Sequence, residues 1–234
     1  RAVDQIPDVV LRGRAGAVES AGNPGLGQDV GGLADGRTVG VRVTDQIEQA
    51  LQPAEVLIEF SKPEATVAHV QAAQRIKRAI VIGTTGLSDA QRAAVVEASR
   101  VIPVLFSPNM SIGVNLLFEL ARVAAARLGL RYDVEVIEAH HRAKVDAPSG
   151  TAKRLMEVVA EARGQQPADI PAHAVRAGDI AGDHTVLFAG PFERLELTHR
   201  ASNRDVFALG ALKAAQFLRA KPAGLYDMSH VLGA

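Results

Sequence analysis

The sequence predicts an α/β chain in two parts, a parallel, doubly wound unit followed by an α+β unit with an open mixed sheet. From Val9 to about Ser107, short branched apolar runs alternate with helix-period segments, the pattern that winds a parallel sheet between helices. From Asn109 onward, long amphipathic helices accompany strands, the last of which, Arg194–Arg200, alternates apolar and polar residues, as a sheet with one face toward solvent or another subunit requires. The chain has 234 residues and is 47% apolar, enough for one large domain or two modest ones.

The first unit is read from the runs Val9–Leu11, Glu55–Phe60, Ala79–Ile82 and Pro103–Phe106, each short and apolar enough to be a strand covered on both faces. Ser61-Lys62-Pro63-Glu64 and Ser88-Asp89-Ala90-Gln91 both fit the capping-box form, so a helix is expected directly after each of two strands. In the second unit, Val114, Leu117, Phe118, Ala121, Ala125 and Leu128 recur at helical spacing over Ile112–Leu128, with Gly129 as C-cap. Val134–Ala139, His184–Ala189 and Arg194–Arg200 read as strands. A helix from Gly150 to about Arg163, stopped by Gly164, lies between the first two. A last helix, Asp205–Leu218, carries an apolar stripe that could return it to the first unit. The stretch Gly164–Ala174 reads as the loosest segment.

Composition excludes several classes of function. Twenty-six basic residues balance 26 acidic ones, so no global field draws the chain to nucleic acid or to an anionic membrane. Without cysteine there is no disulfide, thiolate metal site or cysteine nucleophile, and redox chemistry needs a borrowed cofactor. No apolar run approaches the ~20 residues of a membrane span, and the N-terminus lacks a signal-peptide pattern, so a cytoplasmic protein is expected. The chain opens Arg1-Ala2-Val3-Asp4 with no initiator methionine, and residues upstream of it are expected.

The densest polar cluster is Glu138–Thr151, joining a strand end to a helix start, where loop side chains and unpaired helix amides converge. Ser149 can cap the helix, Gly150 admits a ligand to the backbone, and the first-turn amides with Thr151 make a carboxylate or phosphate nest. Imidazole, from His140 or His141, is the usual general acid at neutral pH, and Lys144 adds a cation or proton donor. The pair could equally belong to a solvated turn; the nearby cation and helix start favour function. A metal site of His140, His141 and Asp146 is set aside, because Arg142 and Lys144 would repel a dication. Gly83-Thr84-Thr85-Gly86 and Ser107-Pro108-Asn109-Met110-Ser111 each follow a strand, at the carboxyl ends where open parallel sheets bind ligands. Glu19 could grip a ribose if Val9–Glu19 contains the second strand of a dinucleotide fold, and standing alone it is a surface carboxylate. The only glycine-rich stretch, Gly22–Gly36, does not lead from a strand into an apolar helix.

The run Glu138-Ala139-His140-His141-Arg142-Ala143-Lys144-Val145-Asp146-Ala147-Pro148-Ser149-Gly150-Thr151-Ala152 resembles the signature of the dihydrodipicolinate (4-hydroxy-tetrahydrodipicolinate) reductase family. The resemblance extends to Val81–Gly86, Ser107–Asn115, Arg176–His184 and Leu195–Ala201, in family order from about Val9 to the C-terminus. It implies a Rossmann-like dinucleotide-binding domain over residues 1–110 and 203–234, and an α+β substrate-binding and tetramerisation domain over 111–202. It further implies reduction of a dicarboxylate cyclic imine of the diaminopimelate and lysine pathway by NADPH or NADH, in a homotetramer, without nucleic acid, membrane or metal. Carried over residue by residue, His140 and Lys144 are the catalytic acids, and His141, Ser149, Gly150 and Thr151 bind substrate. Cofactor contacts fall on Gly83, Thr84, Thr85, Ser107, Pro108, Asn109 and Met110, with Glu19 as ribose acceptor. Ser20 and Ala21 after Glu19 supply no arginine for a 2′-phosphate, which leans toward dual cofactor use with NADH favoured.

Two departures from the family pattern stand out. Its Gly-rich first turn has no counterpart, Arg1–Asp8 resembling the helix end that follows it, and a longer Arg- and Gly-rich loop is replaced by Gly164–Ala174. An alternative is therefore a cofactor-impaired, truncated form that acts as a dicarboxylate-binding or assembly module; a metal-dependent hydrolase is the third reading.

Overall fold

The computed structural model describes residues 16–233, so the strand expected at Val9–Leu11 and the helix end at Arg1–Asp8 lie outside the described residues. In chain order the elements of the first part are β1 (Ala17–Val18), α1 (Val30–Asp35), β2 (Val43–Thr44), α2 (Ile47–Leu51), β3 (Val56–Glu59), α3 (Pro63–Arg75), β4 (Ala79–Ile82), α4 (Asp89–Ser99) and β5 (Pro103–Phe106). Then come α5 (Ile112–Leu128), β6 (Asp133–His140), α6 (Gly150–Arg163), β7 (Ala172–Arg176), β8 (Asp183–Gly190) and β9 (Glu193–Arg200). The chain ends with α7 (Asp205–Leu218), β10 (Gly224–Tyr226) and α8 (Met228–Leu232). Two compact units result, one from residues up to Ser107 together with Ala208–Ala234, the other from Pro108–Phe207.

Among the described residues of the first unit all strands pair in parallel: β1 with β2, and a four-stranded sheet in the order β10-β5-β4-β3. Ile80, Ile82 and Val104 pack with Val70 and Ala73 of α3 and Val95 and Ala98 of α4, which explains why these strands carry no polar alternation. Ser88 forms the full capping box with Gln91. The box expected at Ser61 does not form: the N-cap of α3 is Lys62 without a side-chain bond, and the Ser61 hydroxyl donates instead to Glu59. Pro63 at the first helical position supplies the start signal in its place. Gly22–Gly36 lies after β1 and contains the six-residue α1, capped by the Asp29 side chain, but that helix is short and leaves Leu33 and Ala34 exposed, so the stretch does not lead into an apolar helix.

The second unit is a mixed sheet in the order β7-β6-β8-β9, with β6 and β7 parallel and the other pairs antiparallel. One face is covered by α5 and α6, so Val134, Val136, Val186 and Phe188 are buried with Leu117, Ala121, Leu155 and Val159. The other is uncovered, leaving Ile137, Val175 and Leu195 exposed. The segment Gly164–Ala174 is not loose. It holds a 3-10 turn at Pro167–Asp169, buries Ile170 and starts β7 at Ala172. Among the described residues no helix is long and apolar enough to cross a membrane.

Candidate active site

Along β6, Val134, Val136, Glu138 and His140 share the buried parity, and along β8 so do His184, Val186 and Phe188. At this end of the sheet the inward layer therefore changes from apolar to ionisable. The register sets Glu138 opposite His184 on one side and His140 opposite Arg176 on the other.

Glu138, 1% exposed, is the hub. Its carboxylate accepts a forked pair from Arg176, at 2.7 and 2.9 Å, one bond from His140 Nδ1 at 2.5 Å, and one from the Ser149 amide at 3.1 Å. Burial pushes the carboxyl upward, but the bonds from Arg176, His140 and Ser149 outweigh it and hold the group below the usual carboxylate range. An ionised carboxylate only accepts, so the His140 proton facing it sits on Nδ1. Burial lowers the proton affinity of His140, and Glu138 opposes that effect. A Cβ on Gly182 would lie 3.1 Å from His140 Nε2; glycine there leaves room beside that nitrogen.

His184 stands edge-on to His140, ring centroids 5.1 Å apart, and shares a 3.2 Å hydrogen bond with the Ser149 hydroxyl. Burial, reinforced by the neighbouring His140, lowers its pKa to about 4, so it is neutral at pH 7, and its Nδ1 is buried without a partner among the described residues. Ser149 caps α6, its hydroxyl accepting from the Ala152 amide at 3.2 Å. Both polar groups of Ser149 are thus engaged within the protein. Gly150 has open space where a side chain would stand, and Thr151, on the same first turn, accepts from Asn109 Nδ2 at 3.0 Å. A helix start with an exposed glycine is suited to a carboxylate.

Strand β6 ends at His140, and His141 departs from it, accepting from Arg204 Nη2 at 2.9 Å. Lys144 donates to Asp146 at 2.6 Å, and Arg176 also donates to the Asp146 carbonyl at 2.7 Å. His140, Lys144, Ser149 and Thr151 are thereby joined to one hydrogen-bonded framework, or lie one residue from it, while His141 belongs to a separate pair with Arg204.

In the first unit, Gly83, Thr84 and Thr85 follow β4, and Ser107 follows β5, at the carboxyl ends of the four-stranded sheet. Glu19 follows β1 in the two-stranded sheet and is exposed, its amide donating to the Thr44 carbonyl at 3.0 Å. The ring of Phe60, half exposed beyond β3, lies over Gly83, where a Cβ would come within 2.2 Å of it. Thr84 is buried and accepts from Thr66 at 2.9 Å, Thr85 is exposed, and Phe60 offers a flat apolar surface. Exposed hydroxyl, glycine and aromatic groups at parallel strand ends fit a dinucleotide. Pro108, Asn109 and Met110 belong to the second unit, and Asn109 reaches the start of α6 through Thr151. Among the described residues no group of three or more His, Asp or Glu side chains is placed to hold a metal.

Sequence reasoning missed the roles of Glu138, Arg176 and His184. The signal for Glu138 was present: a carboxylate on the core parity of an alternating strand has to be paired.

The chain is similar to known proteins over nearly its whole length. The family descriptions "Dihydrodipicolinate reductase, N-terminus" and "Dihydrodipicolinate reductase, C-terminus" match residues 1–110 and 113–232. The chain is 50% identical over 249 aligned positions to 4-hydroxy-tetrahydrodipicolinate reductase of Laribacter hongkongensis, covering 99% of this chain and 91% of that protein. It is also 50% identical to the protein of that name from Anaeromyxobacter dehalogenans strain 2CP-1, covering 94% and 87%. The dipicolinate-bound dihydrodipicolinate reductase from Paenisporosarcina sp. TG-14 has the same fold, with a TM-score of 0.77 at 24% identity, covering 97% of this chain and 90% of that one.

Proposed function

The chain belongs to the dihydrodipicolinate reductase family, and from that premise we propose that it is an NAD(P)H-dependent oxidoreductase that reduces 4-hydroxy-tetrahydrodipicolinate to tetrahydrodipicolinate in diaminopimelate and lysine biosynthesis. The observation that carries the reading is the framework around Glu138, which gathers an imidazole, an ammonium and an open helix start. Relatives bearing the reductase name match nearly the whole chain, which disfavours a dicarboxylate-binding module without catalysis.

Glu19, Gly83, Thr84, Thr85 and Ser107 of the first unit would bind the dinucleotide, and the family resemblance assigns Pro108, Asn109 and Met110 to cofactor binding as well. When bound, the reduced nicotinamide supplies a hydride to the unsaturated imine. The enamine left on the substrate must take a proton on carbon, and His140 gives it from Nε2, since Nδ1 is held by Glu138. The Gly150 and Thr151 amides receive one substrate carboxylate, and Lys144 and His141 receive charge on the other side of the ring. Ser149 contributes by capping α6. Ser20 beside Glu19 supports use of both cofactors with NADH favoured. The uncovered face of the second unit's sheet supports a homotetramer, zero net charge supports an enzyme without nucleic-acid or membrane partners, and we assign it to the cytoplasm.

The test is loss of reduced-nicotinamide absorbance with freshly synthesised imine, NADH and NADPH run in parallel. Turnover that disappears in Lys144→Ala is the expected result. Absence of turnover with both cofactors would overturn the reading in favour of a binding module.

A further inference from the structure

We propose that Glu138 is a positioning residue of this site: its buried carboxylate fixes His140 as the Nδ1–H form, leaving Nε2 as the only ring nitrogen that can pass a proton, and ties that imidazole to the start of α6. This rests on the reading of His140 as the proton donor and specifies how the donor is set.

The case begins with what the strand could have held instead. Val134 and Val136 continue the same buried parity, and a third apolar residue would have avoided the cost of burying a carboxylate. Glu138 instead takes four bonds from three different parts of the unit: His140 on its own strand, Arg176 on β7 and the Ser149 amide at the head of α6. One side chain thus sets the ring plane and tautomer of His140 and its spacing from the helix start. The remaining groups facing His140 are Arg176 from β7, His184 from β8, and Lys144 with its partner Asp146 in the loop after β6. Arg176 and Lys144 both oppose a second proton on His140, and buried His184 offers it no charge. Glu138 is the carboxylate in direct contact with the ring that favours the imidazolium a carbon-protonating acid must reach. The Arg176 fork keeps Glu138 ionised, so that it orients the ring without taking its proton.

The test is nitrogen-15 NMR of the histidine rings in the full chain, with His140 assigned through His140→Gln, beside steady-state kinetics across pH. Wild type is expected to show Nδ1–H at His140. In Glu138→Gln the His140 titration midpoint and the acid limb of the rate profile should move together to lower pH. Turnover at neutral pH should fall about 10- to 100-fold, within the usual reach of general acid catalysis, with a much smaller change in KM. Glu138→Asp should restore part of the rate. Arg176→Met, which keeps the carboxylate, should move the His140 midpoint the opposite way and so decides the matter even if Glu138→Gln folds poorly. Tautomer and midpoint unchanged in both variants would overturn the proposal and leave Glu138 a structural carboxylate. Wild-type turnover in His140→Ala would instead overturn the donor reading, a result distinct from either NMR outcome.

Discussion

Each unit buries one glutamate near the carboxyl end of a strand and bonds it to a histidine Nδ1: Glu59 with His69 in the first, Glu138 with His140 in the second. Both carboxyls lie below their ordinary range, since hydrogen bonds outweigh burial. The surroundings differ. Glu59 is satisfied by Ser61 and His69, with Thr66 at 3.4 Å, and among the described residues pairs with no arginine. Glu138 carries an arginine fork, stands at a helix start, and its histidine is followed within four residues by Lys144. A buried Glu–His pair is thus a local fastening by itself, and under the proposed function it serves chemistry where a cation and an anion nest share the framework.

The contrast breaks most easily in turnover. His140→Ala and Lys144→Ala should each lower kcat by about 10²- to 10⁴-fold, the range for a lost general acid, whereas His69→Ala should leave the rate of the same order; equal losses would erase the distinction. Next comes stability. Glu138→Ala strands Arg176 and should cost about 3–5 kcal/mol, as for breaking a buried ion pair, and Glu59→Ala less, because among the described residues it strands no guanidinium; urea midpoints of the two variants give the comparison.

Acid should also separate the units. His184 titrates near 4 when folded against an ordinary 6.5, so between those values the unfolded chain binds a proton that the folded chain does not. Stability therefore falls as pH falls through that window, by on the order of 3 kcal/mol at ~1.4 kcal/mol per pH unit. Glu138 acts with the same sign, because its contribution is lost as pH drops through its lowered folded pKa. Among the described residues no histidine of the first unit is fully buried, so the second unit should loosen first. A flat denaturation midpoint from pH 7 to 4, or no flattening in His184→Gln, would contradict this. Thr151→Ala should raise KM about tenfold or less with kcat nearly kept, as for loss of uniform binding. The smallest effect is a helix cap: Ser88→Ala should cost about 1 kcal/mol, while Ser61→Ala should leave α3 capped as before.

That last pair shows why the sequence could be read so far and no further. Helices α5, α6 and α7 and strands β4 and β5 begin and end where periodicity and capping residues place them, because those signals are local. Ser61 misled because a buried Glu59 two residues away competes for its hydroxyl. Strand β7 escaped notice: it is a short edge strand carrying His173 and Arg176, and its place depends on pairing with β6. The site divides the same way. Contiguous His140, Lys144 and Ser149–Thr151 could be seen as a cluster, but Arg176 and His184 join it only through the β7-β6-β8 register.

The first unit takes its β10 from near the end of the chain, paired with β5 at Gly224 opposite Pro103. During synthesis the second unit is complete once Phe207 has emerged, while the β5 edge, and with it Pro103–Leu105, stays unpaired until residues 224–226 follow. The nascent chain therefore carries an open strand edge through the translation of more than 100 residues, the kind of exposure that favours wrong pairing. Synthesis order thus makes the later-encoded unit the first able to finish, and the earlier-encoded one the last.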